Sequence, residues 1–360
     1  MKVWHLISNR WNSAISEYAL STAKAARMLG ADSLVTCLID SPIEGRFKTS
    51  GFEVKPTESF GPGRYSRLAA IAKEFSPDVI FTYGGPETTS ALFFKGRSRL
   101  IRFHGYKIDS SNAIQSTTRR LGHLHVDQVI VPSQAVGAGI RELINCPVDV
   151  VTLGIDISFF EFKDIARSER PELLIFGRLD PVKGHREFMQ LFVRVLALSE
   201  LHGSARPKLR IVGLPANLSM THLLEHAKEI GLSSSDFEIQ CDRISNVAEL
   251  MSKVSLGVIS SLGSEAICRV AQEFLLCGTP VVATEVGSLR DVFTCPEFGS
   301  IYGNYDNDGA AGIIFDQLLK SHGEQVQTRQ SRALVAKTEF SLETMSQNLS
   351  LLLSAVSSDH

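Results

Sequence analysis

The chain has 360 residues, 44% hydrophobic and 21% charged, a balance that excludes a disordered or fibrous protein and leaves room for two domains with separate cores. Its six cysteines, Cys37, Cys146, Cys241, Cys268, Cys277 and Cys295, show neither C-x-x-C nor Cys/His ligand spacing, which argues against a zinc site or a disulfide framework and fits a reducing compartment. Net charge is only −2, no nucleic-acid partner is expected, and no apolar run nears the roughly 18 residues of a spanning helix, so the expected location is cytoplasmic.

From "MKVWHLIS" onward, short apolar runs alternate with helical periods. The pattern predicts strands at 3–8, 33–38, 78–82, 100–104, 128–132 and 148–153, with helices at 13–29, 65–75 and 134–144 between them. A charged segment at 156–171 then loses this rhythm and reads as a linker. The alternation restarts with strands at 173–176, 209–212, 237–240, 256–260 and 281–284, and with helices at 184–199, 221–230, 247–251 and 266–276. Ser341 is placed to cap a last helix over 342–357. The pattern predicts an α/β chain of two doubly wound, Rossmann-like domains, 1–155 and 156–340, followed by a C-terminal helix at 341–360.

Charge divides between the halves. Residues 1–150 carry 18 Lys and Arg against 13 Asp and Glu, whereas the remainder carries 19 against 26. Much of the positive excess lies in Lys95, Arg97, Arg99, Arg102, Lys107, Arg119 and Arg120, read as a patch for an anionic acceptor or the inner face of an anionic membrane. "DNDG" at Asp306 has the composition of a turn, and no metal site is expected there.

Ligands of open α/β sheets bind at the carboxyl ends of strands, where helix N-termini point. No G-x-G-x-x-G and no P-loop follows any predicted strand. Three strand ends of the second half instead carry suggestive residues. "LLIFGRLDPVKGHREF" places Gly177, Arg178 and Lys183 at the sheet edge, where a guanidinium and an ammonium suit a diphosphate. "LRIVG" ends on Gly213, which permits close approach of the backbone to a ligand. "SEAICRVAQEF" holds Glu265 and Glu273, separated by about 12 Å if all of it is helical. Arg269 and Glu273 stand in i, i+4 relation and read as an ion pair.

Taken in order, "GRLDPVKG" (177–184), "RIVG" (210–213), the E-x7-E pair and "CGTPVVATEVGSLRDV" (277–292) resemble the donor-binding half of retaining GT-B glycosyltransferases of family 4, the glycosyl transferases group 1. The resemblance implies two such domains facing across a cleft, with the C-terminal helix packing back on the N-terminal domain. It implies a sugar donor linked to UDP or GDP, no further cofactor, no metal, and a glycan, lipid-linked or other cell-envelope acceptor. By the same resemblance Arg178 and Lys183 stabilise the departing diphosphate, Glu265 contacts sugar hydroxyls and Glu273 ribose hydroxyls. Ser264, Ala266, Ile267 and Cys268 would present the helix start to the donor, and Arg243 and Ile244 would lie against the base. "FHGY" resembles the acceptor-side turn and places His104 near the sugar. Ala14 and Ile15 stand where the family carries a Gly-Gly turn. A nucleotide-sugar epimerase and a non-catalytic nucleotide-sugar-binding protein are the alternatives.

Overall fold

The computed structural model describes residues 1–106, 125–263, 265–303 and 308–357. The chain divides into two units, Met1–Asp156 together with Phe340–His360, and Ile157–Glu339. The first contains strands β1 (Lys2–Ile7), β2 (Asp32–Cys37), β3 (Glu53–Val54), β4 (Val79–Thr82), β5 (Arg99–Phe103), β6 (Gln128–Val131) and β7 (Val148–Val150). Its helices are α1 (Ala14–Met28), α2 (Pro42–Thr49), α3 (Tyr65–Phe75), α4 (Gly85–Ala91) and α5 (Gln134–Arg141). All neighbouring strands pair in parallel, in the order β3-β2-β1-β4-β5-β6-β7.

The second unit repeats this winding with β8 (Glu172–Phe176), β9 (Lys208–Val212), β10 (Phe237–Gln240), β11 (Leu256–Ile259), β12 (Val281–Thr284) and β13 (Gly299–Tyr302). Its order is β10-β9-β8-β11-β12-β13, again parallel throughout. Helices α6 (His185–Leu201), α7 (Met220–Glu229), α8 (Val247–Lys253), α9 (Arg269–Leu276), α10 (Asp308–His322) and α11 (Val326–Phe340) accompany it. Strands such as β4 and β11 are buried at every residue, as parallel strands covered on both faces must be. The strand order reverses between β1 and β4 in one unit and between β8 and β11 in the other. At these two points crossovers leave in opposite directions and open a crevice at the carboxyl edge.

The last helix, α12 (Leu342–Ser357), packs on α1 in the first unit, and Ser341 caps it by accepting the Thr344 N–H at 3.1 Å. The expected linker is pinned to the second unit. Two arginines of α11, each at most 3% exposed, hold it and its surroundings. Arg329 donates to the carbonyls of Ile165 and Ser252, at 3.1 and 2.6 Å, and Arg332 pairs with Glu324 while donating to the Gly278 carbonyl at 2.9 Å. Gly278 itself lies at φ +74°, and a Cβ there would come within 2.7 Å of the Arg329 carbonyl oxygen.

Among the described residues, the basic run of the first half is divided between different environments. Arg102 is buried, Lys95 pairs with Asp127 at 2.8 Å, and Arg99 donates to Gln128 at 2.6 Å, leaving Arg97 exposed. Strand alternation sends neighbouring charges of β5 to different environments. Lys107, Arg119 and Arg120 lie outside the described residues, as does "DNDG" at Asp306 except for its Asp308 and Gly309.

His5, in the centre of β1, is fully buried, with Nδ1 2.9 Å from the Tyr83 hydroxyl and its ring stacked on Phe81. Burial pushes its pKa down to about 3. The unfolded chain takes up that proton below about pH 6.5, whereas the folded chain refuses it until about 3. Stability from this group is therefore intact above pH 6.5 and is lost as pH falls through that window, at about 1.4 kcal/mol per pH unit. Urea unfolding at stepped pH should show this slope, and it should be shallower by about one proton in His5→Leu.

A second prediction concerns the ends of β8 and β9. A Cβ on Gly213 would sit 1.7 Å from the Gly177 carbonyl oxygen, while one on Gly177 would meet nothing within 4 Å. Gly213→Ala should lower stability by about 1–3 kcal/mol, and Gly177→Ala should unfold near the wild-type temperature. Equal thermal shifts for the two would contradict this packing.

Candidate active site

The cations of "GRLDPVKG" stand at the reversal of the second sheet. After β8 the chain passes Gly177 and the exposed Arg178, then makes a single 3₁₀ turn at Pro181–Lys183. Asp180 caps that turn by accepting the Val182 N–H at 3.1 Å, and Gly184, at φ +66°, redirects the backbone into α6. The Val182 N–H, aided by Asn217 and the charges of Arg178 and Lys183, holds the Asp180 carboxyl below its ordinary pKa. His185 lies 1% exposed at the start of α6, with Nε2 3.0 Å from the Arg178 carbonyl oxygen. A carbonyl only accepts, so the proton sits on Nε2 and the imidazole fixes the backbone that carries Arg178. Burial pushes the His185 pKa down and keeps the ring neutral. "KGH" was visible in the sequence, but a lone histidine at a helix start gave no signal for this contact.

The loop after β11 is tied directly to that turn. Ser260 Oγ donates to the Lys183 carbonyl at 2.8 Å, and the Leu262 N–H donates to the Val182 carbonyl at 2.8 Å. Lys183 Nζ forms an ion pair with Glu265, and the Ser261 hydroxyl donates to the same carboxylate oxygen. The loop after β12 supports Glu265 from behind. The Ser288 N–H donates to the Glu265 carbonyl at 2.7 Å, and a Cβ on Gly287 would stand 2.2 Å from that oxygen. Arg178, Lys183, Asp180 and Glu265 thus gather at one sheet edge with two charges of each sign.

The expected helix over 266–276 begins later, at Arg269. Glu265, Ala266, Ile267 and Cys268 lie outside it, Ile267 and Cys268 are buried, and Cys268 turns the chain in the left-handed region at φ +50°. The apolar periodicity ran upstream of the helix because buried loop residues continued it. The separation of about 12 Å along one helix therefore does not describe the two glutamates. Ser264 lies outside the described residues. Glu273 is on α9 and only 3% exposed, and it accepts the Arg269 Nε–H at 2.6 Å. The i, i+4 pair is thus a buried carboxylate held by a half-exposed arginine.

Gly213 is half-buried at the end of β9. Its missing side chain leaves room for the Gly177 carbonyl, so this glycine serves packing between two strand ends. Arg243 is exposed and Ile244 half-buried in the loop after β10. His104 belongs to the first unit, just past β5, where it is 1% exposed, donates its backbone N–H to the Ile130 carbonyl at 2.9 Å and rests against Tyr106. Ala14 and Ile15 form the first turn of α1, capped by Ser13.

Residues 170–314 match the family model of the glycosyl transferases group 1. The D-inositol 3-phosphate glycosyltransferase of Mycobacterium marinum is 28% identical over 197 residues, covering 52% of this chain and 40% of that protein. The chain thus matches only about two fifths of the length of this curated relative. Anabaena HepE in complex with UDP superposes with a TM-score of 0.80 at 18% identity, covering 99% of this chain and 100% of that one. A glycosyltransferase from Rickettsia africae superposes with a TM-score of 0.81 at 16% identity, covering 100% and 99%. With two parallel sheets wound in the same sense and this match across the second of them, the chain has the GT-B fold and its second unit resembles the glycosyl transferases group 1.

Proposed function

We propose that the protein is a retaining glycosyltransferase that moves a hexose from a nucleoside-diphosphate sugar to a hydroxyl of a glycan, lipid-linked or other cell-envelope acceptor. The observation that carries this reading is the convergence of Arg178, Lys183 and Glu265 at the reversal of a sheet that lies within the matched family region. In the reaction the bond from the anomeric carbon to the phosphate oxygen breaks, and its electron pair leaves with the diphosphate. Arg178 and Lys183 stabilise that developing charge without a metal ion. A bond forms from the acceptor oxygen to the anomeric carbon on the face the nucleotide vacates, and the acceptor proton passes to a departing phosphate oxygen. Glu265 accepts hydroxyls of the sugar, Glu273 those of the ribose, and the loop of Arg243 and Ile244 borders the base. The UDP complex of Anabaena HepE makes UDP the first nucleotide to try, with GDP second.

The test is a panel of UDP- and GDP-sugars incubated with and without glycan acceptors, followed by nucleotide release. Transfer should appear with one donor and persist in excess EDTA. Activity abolished by EDTA and restored by Mg²⁺ or Mn²⁺ would overturn the metal-free step. Nucleotide binding without transfer or donor hydrolysis across the panel would favour a non-catalytic binding protein.

If Glu273 holds the ribose, Glu273→Ala should weaken both the donor and its bare nucleoside diphosphate by roughly tenfold to a hundredfold in calorimetry, the cost of a charge-assisted hydrogen bond. Selective loss of donor affinity alone would assign Glu273 to the sugar.

A further inference from the structure

Glu265 carries two interactions on one carboxylate oxygen, the Lys183 ammonium and the Ser261 hydroxyl. Its side chain is only 12% exposed, so water does little to replace a partner lost from the carboxylate, whereas Lys183, at 30%, stays partly solvated. The backbone of Glu265 is fixed by Ser288 and by the close approach of Gly287. Lys183 ends a flexible stem, so it is the half of the pair able to move. Asp180 adds a second negative charge beside the same turn, bound to Val182 and to Asn217 at 2.8 Å. Arg178 and Lys183 are matched in number by Asp180 and Glu265, so these four side chains together present no net positive charge to a diphosphate.

A diphosphate that recruits Lys183 must draw it from Glu265. The cost of that move depends on the group the nucleotide carries. A sugar brings hydroxyls that donate to the vacated carboxylate oxygen, so the partly buried charge stays satisfied. A bare nucleoside diphosphate brings none and leaves a carboxylate facing phosphate with one donor fewer. We propose that Glu265 discriminates the sugar donor from the spent nucleotide by competing for Lys183, so that loss of the sugar returns Lys183 to Glu265 and promotes release of the nucleoside diphosphate. This rests on the functional reading above and assigns its site a second task, in which one carboxylate both holds the sugar and penalises the product that lacks it.

The test uses the full chain and calorimetric titration with UDP, UDP-glucose, GDP and GDP-mannose. Glu265→Gln keeps the shape and removes the charge. Where the wild type binds a bare diphosphate, this variant should bind it about tenfold more tightly and show a correspondingly lower product-inhibition constant. Its affinity for the sugar nucleotide should not rise. Glu265→Ala gives a second measurement with the same expected sign for the bare diphosphate. In the Lys183→Ala background the gain from Glu265→Gln should vanish, because the competition acts through that ammonium. Unchanged or weaker binding of the bare diphosphate by both Glu265 variants would overturn the proposal while leaving the glycosyltransferase reading intact, and so would a full gain in the absence of Lys183. A wild-type chain that binds none of the four nucleotides would overturn the functional reading and the proposal together.

Discussion

The arrangement of the candidate site depends on how the loop after β8 is fastened to the loop after β11. Two hydrogen bonds reach the backbone of the 3₁₀ turn, from Ser260 to the Lys183 carbonyl and from Leu262 to the Val182 carbonyl, both at 2.8 Å. These contacts fix the backbone beneath Lys183 while leaving its side chain adjustable. Thr284 extends the same system to β12 by donating from its hydroxyl to the Ser261 carbonyl at 2.7 Å. Three strand ends are thereby held in register before any charge interaction is counted. The ion pair of Lys183 and Glu265 is a consequence of that framework.

The two units share a winding and differ in what stands at the reversal. In the first, Glu87 lies 1% exposed between the ends of β1 and β4, and its Oε1 accepts the Ser8 N–H at 3.1 Å. Burial pushes that carboxyl above its ordinary pKa. Gly84 makes room for it, since a Cβ there would lie 3.0 Å from both carboxylate oxygens. A buried acid thus joins the strand ends of one unit, whereas partly exposed charges of both signs occupy the equivalent place in the other. Equivalent topology fixes where a site forms, and the side chains at the strand ends decide its chemistry.

Much of this was legible in the sequence. Apolar runs bounded by turn residues marked most strands because parallel strands buried on both faces leave continuous hydrophobic stretches. Two edge strands, β3 and β13, escaped. β3 has only two residues, and β13 opens with Gly299 at φ +125° and a serine, too few apolar residues for a pattern. The site motifs indicated which residue types to examine but not their contacts. A missing side chain at Gly213 looks the same in sequence whether a ligand or a neighbouring strand fills the space, and here the Gly177 carbonyl fills it. The support of Glu265 by Ser288 and of Arg178 by His185 joins residues distant in the chain or separated by a turn, and no local period encodes such pairings. The described part of the basic run, Lys95 to Arg102, divides between buried and exposed places for the same reason, since proximity along the chain does not set burial.

The second unit begins and ends where the chain touches itself. Ile155 forms a parallel bridge with Ser341, its N–H donating to the Phe340 carbonyl at 2.8 Å, and the Leu342 N–H returns to the Ile155 carbonyl at 3.2 Å. The outgoing and returning strands are therefore neighbours, and residues 157–339 constitute an insertion into the first unit. The returning helix α12 contributes buried Met345 and Leu349 to that unit, and Ser346 donates to the Ala25 carbonyl at 3.2 Å. Chains emerge from the ribosome from the N-terminus, and domains fold as units as they appear. The unit that starts first is thus the last to be completed, with the face of α1 awaiting its partner throughout synthesis of the second sheet.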